Sequence, residues 1–293
     1  MLALPNLFGG SADVAGSVMT GLKGGVDFTP EHRDGHNINW GIREFAMAAA
    51  QNGMLLHGGV RTYVGCFFVF SDYMKNAIRM SALTHLPAIY LFSHDSIAVG
   101  EDGPTHQPIE QLAMLRSMPN LNVIRPCDAR ETYAAFKQAL LSTKTPTAII
   151  TSRQNLPLLS NSSDGGLSMG AYIISKEKRR AKFTLIATGS EVSLAIEAQK
   201  KLLEDGIDVR VVSMPCWEYF EETSEEYKEK TFDVIYKNRI SIEMLSTFGW
   251  GKYAKHNIGI DTFGASGPAK EVLKKFHFTV EDIVRYVKEL NNN

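Results

Sequence analysis

Residues 85–94, HLPAIYLFSH, form an apolar run carrying Ile89, Tyr90 and Phe92 that passes straight into the polar loop DSIAVGEDGPTHQP. Such a run has no polar face to offer solvent, so it predicts a strand covered on both sides, the situation of a parallel sheet. Parallel strands need crossover connections, usually helical. The chain supplies them: a helix at IEQLAMLRSM, a strand at NVIRP, a helix at ARETYAAFKQALLS and a strand at TAIITS. After the Ser, Asn and Gly cluster SNSSDGGLSMG, which punctuates rather than packs, the alternation resumes. KFTLIATGS, EVSLAIEAQKKLLEDG and IDVRVVSMP read as a βαβ unit whose helix closes at Gly206. RISIEML adds a strand, and TVEDIVRYVKEL a last helix with Thr279 as N-cap and Asp282 three residues on. The expectation is α/β: two tandem three-layer α/β domains with mostly parallel sheets, spanning 1–163 and 164–293.

Composition narrows the function. Thirty-one Lys and Arg against 32 Asp and Glu leave a net charge of −1, which gives no basic footprint for nucleic acid. No apolar run approaches the length that crosses a bilayer, so a membrane role is not expected. The start, MLALPNLFGGSAD, lacks the basic and then apolar pattern of a secretory signal. Three cysteines without CxxC spacing indicate neither a disulfide framework nor a cysteine metal site. A cytoplasmic protein acting on small molecules is the expectation.

Five stretches carry candidate chemistry. In NINWGIREFAMAAAQNG, Glu44 opens a segment of Ala and Met that predicts a buried helix stopping at Gly53. A first-turn acid is ordinarily explained by the helix dipole. Apolar neighbours, however, would push its pKa up unless a partner such as a ligand nitrogen used the proton. Phe67, Phe70 and Tyr73 recur every third residue, ordinarily a core stripe, here beside Gly65 and flat enough to stack on a heterocycle. The loop after the apolar run packs His94, Asp95, Glu101, Asp102 and His106 together. Its histidines lack the spacing of a zinc site, and they suit a hydroxyl-rich substrate better. Arg153, at a strand end, is placed to hold a phosphate, and GGSADVAGS brings Asp13 and Ser17 beside glycines. The turn TGSEV lacks a GxGxxG or Walker pattern, so no nucleotide site is expected there.

Taken in order, GGSAD, GIRE, HDSIAVGEDGPTHQPIE, SRQNLP, ATGSEVSLAIEA, GWGKY and GIDTFGASGPA resemble transketolase over practically the whole chain. The resemblance is to that family's pyrimidine-binding and C-terminal domains, without the domain that holds the diphosphate of thiamine diphosphate through Mg2+ or Ca2+. It implies transfer of a two-carbon ketol unit from a ketose phosphate to an aldose phosphate in the pentose phosphate pathway. Glu44 would hydrogen-bond N1′ of the aminopyrimidine and promote its imino tautomer. Phe70 would stack on that ring, with Phe67 and Tyr73 completing its pocket and Asp13 and Val14 nearby. His106 and Asp102 would meet sugar hydroxyls, His106 also moving a proton, and Ser17, His94 and Arg153 would bind the phosphate. No metal ligand is expected in this chain. The implied partners are sugar phosphates and either a second copy or a separate chain carrying the metal-binding domain, without which this chain would be inactive. Two other readings stay open: another thiamine-dependent enzyme of this architecture (deoxyxylulose-phosphate synthase or 2-oxo acid dehydrogenase β type), and a non-catalytic assembly module.

Overall fold

A computed structural model describes residues 4–292. The first part of the chain runs β1 (Leu7–Ser11), α1 (Ala15–Val18), β2 (Asn37–Asn39), α2 (Glu44–His57), β3 (Arg61–Phe67) and α3 (Ser71–Leu83). It continues with β4 (Ile89–Ser93), α4 (Gln111–Arg116), β5 (Asn122–Ile124), α5 (Ala129–Leu141) and β6 (Thr147–Ile150). These strands make one six-stranded sheet in the order β2-β1-β3-β4-β6-β5, every neighbouring pair parallel. β4 occupies the second half of the apolar run of residues 85–94, whose first residues, from the exposed His85, form the turn that leads into it. The strand is buried along its whole length because alternate residues face opposite layers. Tyr90 and Phe92 pack with Met47, Met74 and Ile78 of α2 and α3. Ile89 and Leu91 pack with Ala134, Ala135 and Ala139 of α5.

The second part runs α6 (Asp164–Ser168), β7 (Tyr172–Ser175), β8 (Phe183–Ala187), α7 (Glu191–Glu204), β9 (Val209–Ser213), α8 (Trp217–Glu221) and α9 (Glu225–Phe232). Then come β10 (Arg239–Ile242), β11 (His256–Ile258), α10 (Ala269–Lys275) and α11 (Val280–Asn292). Its five strands order as β11-β10-β8-β9-β7, parallel except for β7 against β9. α7 and α11 cover one face, through Val192, Ala195, Leu202, Ile283 and Val287. Phe220, Phe232 and Trp250 cover the other, so each sheet is the middle of three layers. Thr279 caps α11 as expected, its Oγ1 accepting from Asp282 N at 3.2 Å.

Two local expectations are corrected, and a third reading, that Gly65 lets backbone or ligand come close, resolves to backbone. α2 does not stop at Gly53 but runs to His57, and Gly58 ends it with φ +83°. An interior helical glycine is a penalty of only about 1 kcal/mol, which packing offsets, whereas the positive φ at Gly58 cannot continue the helix. The aromatic stripe is not one helix: Phe67 ends β3, Phe70 lies in a short 3-10 turn, and Tyr73 is in the first turn of α3. Gly65 serves the chain rather than a ligand, since a Cβ there would lie 2.6 Å from Thr20 Cγ2 and 2.9 Å from the Leu91 carbonyl oxygen.

The two sheets are joined by buried charge. Arg125, just past β5, has no exposed surface. Its Nε donates to Asp95 at 3.0 Å, its Nη1 to Thr188 Oγ1 at 2.8 Å and its Nη2 to Glu191 at 3.1 Å. The guanidinium lies against Gly189, where a Cβ would approach Cζ to 2.6 Å, and Gly189 itself takes φ +52°. The TGSEV turn therefore receives a protein guanidinium. Beside it, Arg116 pairs both nitrogens with Glu243 at 2.8 and 2.9 Å and lies 4.0 Å over the Trp217 ring.

Candidate functional site

Parallel pairing in register puts the C-terminal ends of the central strands on one rim. Ser11 is level with Gly65, Phe67 with Ser93, and Phe92 with Ile150. The residues that follow, Asp13 after β1, His94 after β4 and Arg153 after β6, therefore emerge together with Phe67 at the end of β3. This is the edge at which open α/β sheets bind ligands.

On that rim a concavity of about 490 Å³ is lined by Ala12, Asp13, Val14, Ile42, Glu44, Phe70 and Tyr73. Five of the six residues expected to hold a flat cofactor thus meet in one place. Asp13 turns the chain with φ +64°, closing the pocket floor after β1. Glu44 is half-buried rather than fully buried, because Ile42 and Phe45 beside it are 78% and 54% exposed and leave that side of α2 uncovered. Its carboxylate has no hydrogen-bond or ion-pair partner among the described residues. It nevertheless faces the core closely enough to act on the fully buried Cys66 thiol, whose pKa is pushed up by burial and then by the Glu44 charge. Apolar walls with the carboxylates of Glu44 and Asp13 fit a planar ring with a basic nitrogen.

Phe67, the sixth, lies behind this pocket and links it to the histidines. Its ring stacks on Phe70 at 6.1 Å and on His94 at 3.9 Å, and His106 meets Phe67 and Phe70 edge-on at 6.3 and 5.5 Å. His94 is buried, with φ +64° and Nδ1 3.0 Å from Ser93 Oγ. Its pKa is held below the ordinary imidazole value by burial and then by the positive charge of Arg153, with Asp102 and Asp95 pulling the other way. Arg153 and Asp102 are exposed but electrostatically within reach of it. An uncharged, buried imidazole beside a free cation is a good anion seat. Arg153→Ala is expected to move the His94 titration midpoint upward, since the repulsion that opposes its protonation is gone. Histidine NMR reads this directly, and an unmoved midpoint would remove Arg153 from the group.

Ser17 is not drawn into this cluster. It lies exposed in α1, its amide bonded back to the Val14 carbonyl at 3.0 Å. Among the described residues no group of three or more His, Cys, Asp or Glu side chains is placed to hold a metal ion. Sequence reading missed Ile42 and Ala12 as pocket walls. It also missed the contact of the His94–His106 loop with residues 264–266, which are distant in sequence and carry no signal of it.

Residues 1–158 match the family described as transketolase, pyrimidine binding domain, and residues 170–279 match the transketolase-like C-terminal domain. The chain is 53% identical to the transketolase of Bacillus subtilis over 99% of its own length and 44% of that protein's. It superposes with a TM-score of 0.93 on a transketolase from Pichia stipitis in complex with sedoheptulose-7-phosphate, 44% identical, covering 98% of this chain and 43% of that one. A split-gene transketolase, described as an inactive β4 tetramer, shares the fold with a TM-score of 0.78 at 24% identity, covering 98% of this chain and 92% of that one. The chain thus spans less than half the length of the curated relatives it matches, and it belongs to the transketolase family.

Proposed function

We propose that residues 1–293 form the pyrimidine-binding and C-terminal portion of a transketolase, transferring a two-carbon ketol unit between sugar phosphates. The observation that carries this is the unpartnered Glu44 carboxylate on the same rim as the Phe67, His94 and His106 cluster. Thiamine diphosphate would supply the electron sink for breaking the bond between the ketose carbonyl carbon and its neighbour. Every other role falls to the protein. Glu44 holds a proton at the cofactor's N1′, Phe70 and Tyr73 fix the plane of its pyrimidine, and Val14 lines the pocket beside them. His106 and Asp102 orient the sugar hydroxyls, with His106 placed to move a proton, while His94 and Arg153 seat the phosphate. Ser17 joins them only if the bound sugar reaches α1.

The diphosphate and its Mg2+ or Ca2+ would be held by another domain. The open wall at Ile42, Phe45 and Tyr73, the last 64% exposed, supports a site completed by a second polypeptide surface, either another copy or a chain bearing that domain. The inactive assembly of the split-gene relative is consistent with this. No helix among the described residues is long and apolar enough to cross a membrane, and Cys66, Cys127 and Cys216 are free thiols, which suits the reducing cytoplasm.

The test is an assay of residues 1–293 with xylulose-5-phosphate, ribose-5-phosphate, thiamine diphosphate and magnesium, alone and mixed with a transketolase metal-binding domain. No product alone and sedoheptulose-7-phosphate from the mixture are expected. A mixture that assembles but does not turn over would favour the assembly-module reading.

A further inference from the structure

The loop from His94 to Gln107 carries three of the residues assigned to the sugar phosphate, His94, Asp102 and His106, yet little in the sequence of its second half, 100–107, makes that half rigid. It contains Gly100 and Gly103 with φ of +82° and +75°, and Glu101, Asp102, Pro104 and Thr105 are exposed. Its internal backbone bonds are short-range, from Gly103 N to Gly100 O and from His106 N to Gly103 O, each 3.0 Å. Bonds of this kind close turns but do not fix a turn's direction.

What fixes it comes from the other end of the chain. The Gln107 carboxamide is 2% exposed and satisfied at both ends. Its Nε2 donates to Gly100 O and to Ala265 O, both at 2.9 Å, and its Oε1 accepts from Ala265 N at 3.0 Å. Ser266 Oγ donates to the Glu101 carbonyl oxygen at 2.6 Å. The fit leaves no slack. A Cβ on Gly103 would sit 3.1 Å from Ser266 Cβ, and one on Gly264 would overlap Gln107 Oε1 at 1.8 Å. One buried amide thus ties both limbs of the loop to residue 265, and a hydroxyl ties its tip to residue 266. Neither Gln107 nor Ser266 lines the Glu44 pocket.

We propose that the C-terminal domain is a positioning element of the site: residues 264–266 clamp the loop 100–107 and thereby set Asp102 and His106 against the Phe67 and Phe70 rings. Gln107 and Ser266 act as positioning residues, working through the loop and not on substrate. The inference rests on the proposed function only in naming what the loop is positioned for; the clamp itself is independent of it.

The experiment uses the full chain with labelled histidine and needs no turnover. His106 lies 5.5 and 6.3 Å from the two phenyl centroids, so its ring protons carry aromatic shifts that report its place against them. In Ser266→Ala, an exposed position that threatens no core, amide exchange in the peptide covering 100–107 is expected to rise about five- to tenfold, the effect of losing roughly one net hydrogen bond. The His106 signals should move towards unshifted values. Ser266→Thr, which keeps the hydroxyl, should restore both, and Gln107→Ala should exceed Ser266→Ala. Unchanged loop exchange and His106 signals in Ser266→Ala overturn the proposal, even where Gln107→Ala does not fold. Lack of turnover in the reconstituted assay with the clamp intact would instead retire the functional reading alone.

Discussion

Arg125→Met is expected to destabilise the chain by about 3–5 kcal/mol, the usual consequence of leaving buried charge without its partner. Methionine fills most of the arginine volume, so the effect isolates charge from cavity. Asp95 and Glu191, both buried, pair with Arg125 at 2.8 and 2.9 Å and would lose their counter-charge together. Thr188 loses a donor as well. Arg125 itself shows the balance: burial works against its charge, and Glu191 and Asp95 more than restore it, so it stays above the ordinary guanidinium value. In the variant Glu191, whose pKa burial already raises, loses the lowering effect of the Arg125 charge and is pushed further towards the protonated form. A raised folded-state pKa favours the fold at low pH and is lost as pH rises through it, so the deficit should narrow as pH falls towards about 4. Urea unfolding at neutral and acidic pH measures both parts. A loss under 1 kcal/mol at neutral pH would show that water already reaches the pair.

Glu44→Gln should leave stability nearly untouched and lower exchange of the cofactor's C2 proton, in an assembly reconstituted with the metal-binding domain, by a factor on the order of 10² to 10⁴, the usual range for a positioned acid or base. Glutamine keeps the shape and one oxygen but cannot share a proton with a ring nitrogen. Glu44 is half-buried and makes no internal ion pair, so the fold has little to lose. NMR of the C2 position follows the exchange, and a rate equal to that of the unmutated protein would dismiss Glu44 from the role.

Much of this was legible in the residues. Strands at 89–93, 122–124, 147–150, 183–187 and 209–213 announce themselves because each is covered on both faces and has no polar alternation to confuse it. β1 is harder to see, since Gly9 and Gly10 weaken its signal. Gly10 is there because a Cβ would lie 1.9 Å from the Ile38 carbonyl oxygen of β2, a contact no local pattern reports. The convergence of Glu44, Phe70 and Tyr73 follows from strand order, which single-sequence periodicity does not contain. The half-exposure of Glu44 was misread because apolar neighbours in sequence, Ile42 and Phe45, turn outward. Nothing in RPCDAR marks Arg125 as a buried cation. Its partners Asp95 and Glu191 are 30 and 66 residues away.

The stretch between Ile150 and Tyr172 is the covalent connection between the sheets, but it is not what keeps them together. The Arg125 and Arg116 clusters do that, along with Glu131 of α5, whose buried carboxylate accepts from Tyr172 at 2.8 Å and Ser213 at 2.7 Å on the far sheet. The peptide bond is therefore not the joint, and a chain nicked at the exposed Pro157 and Leu158 within that stretch would keep its two halves in place.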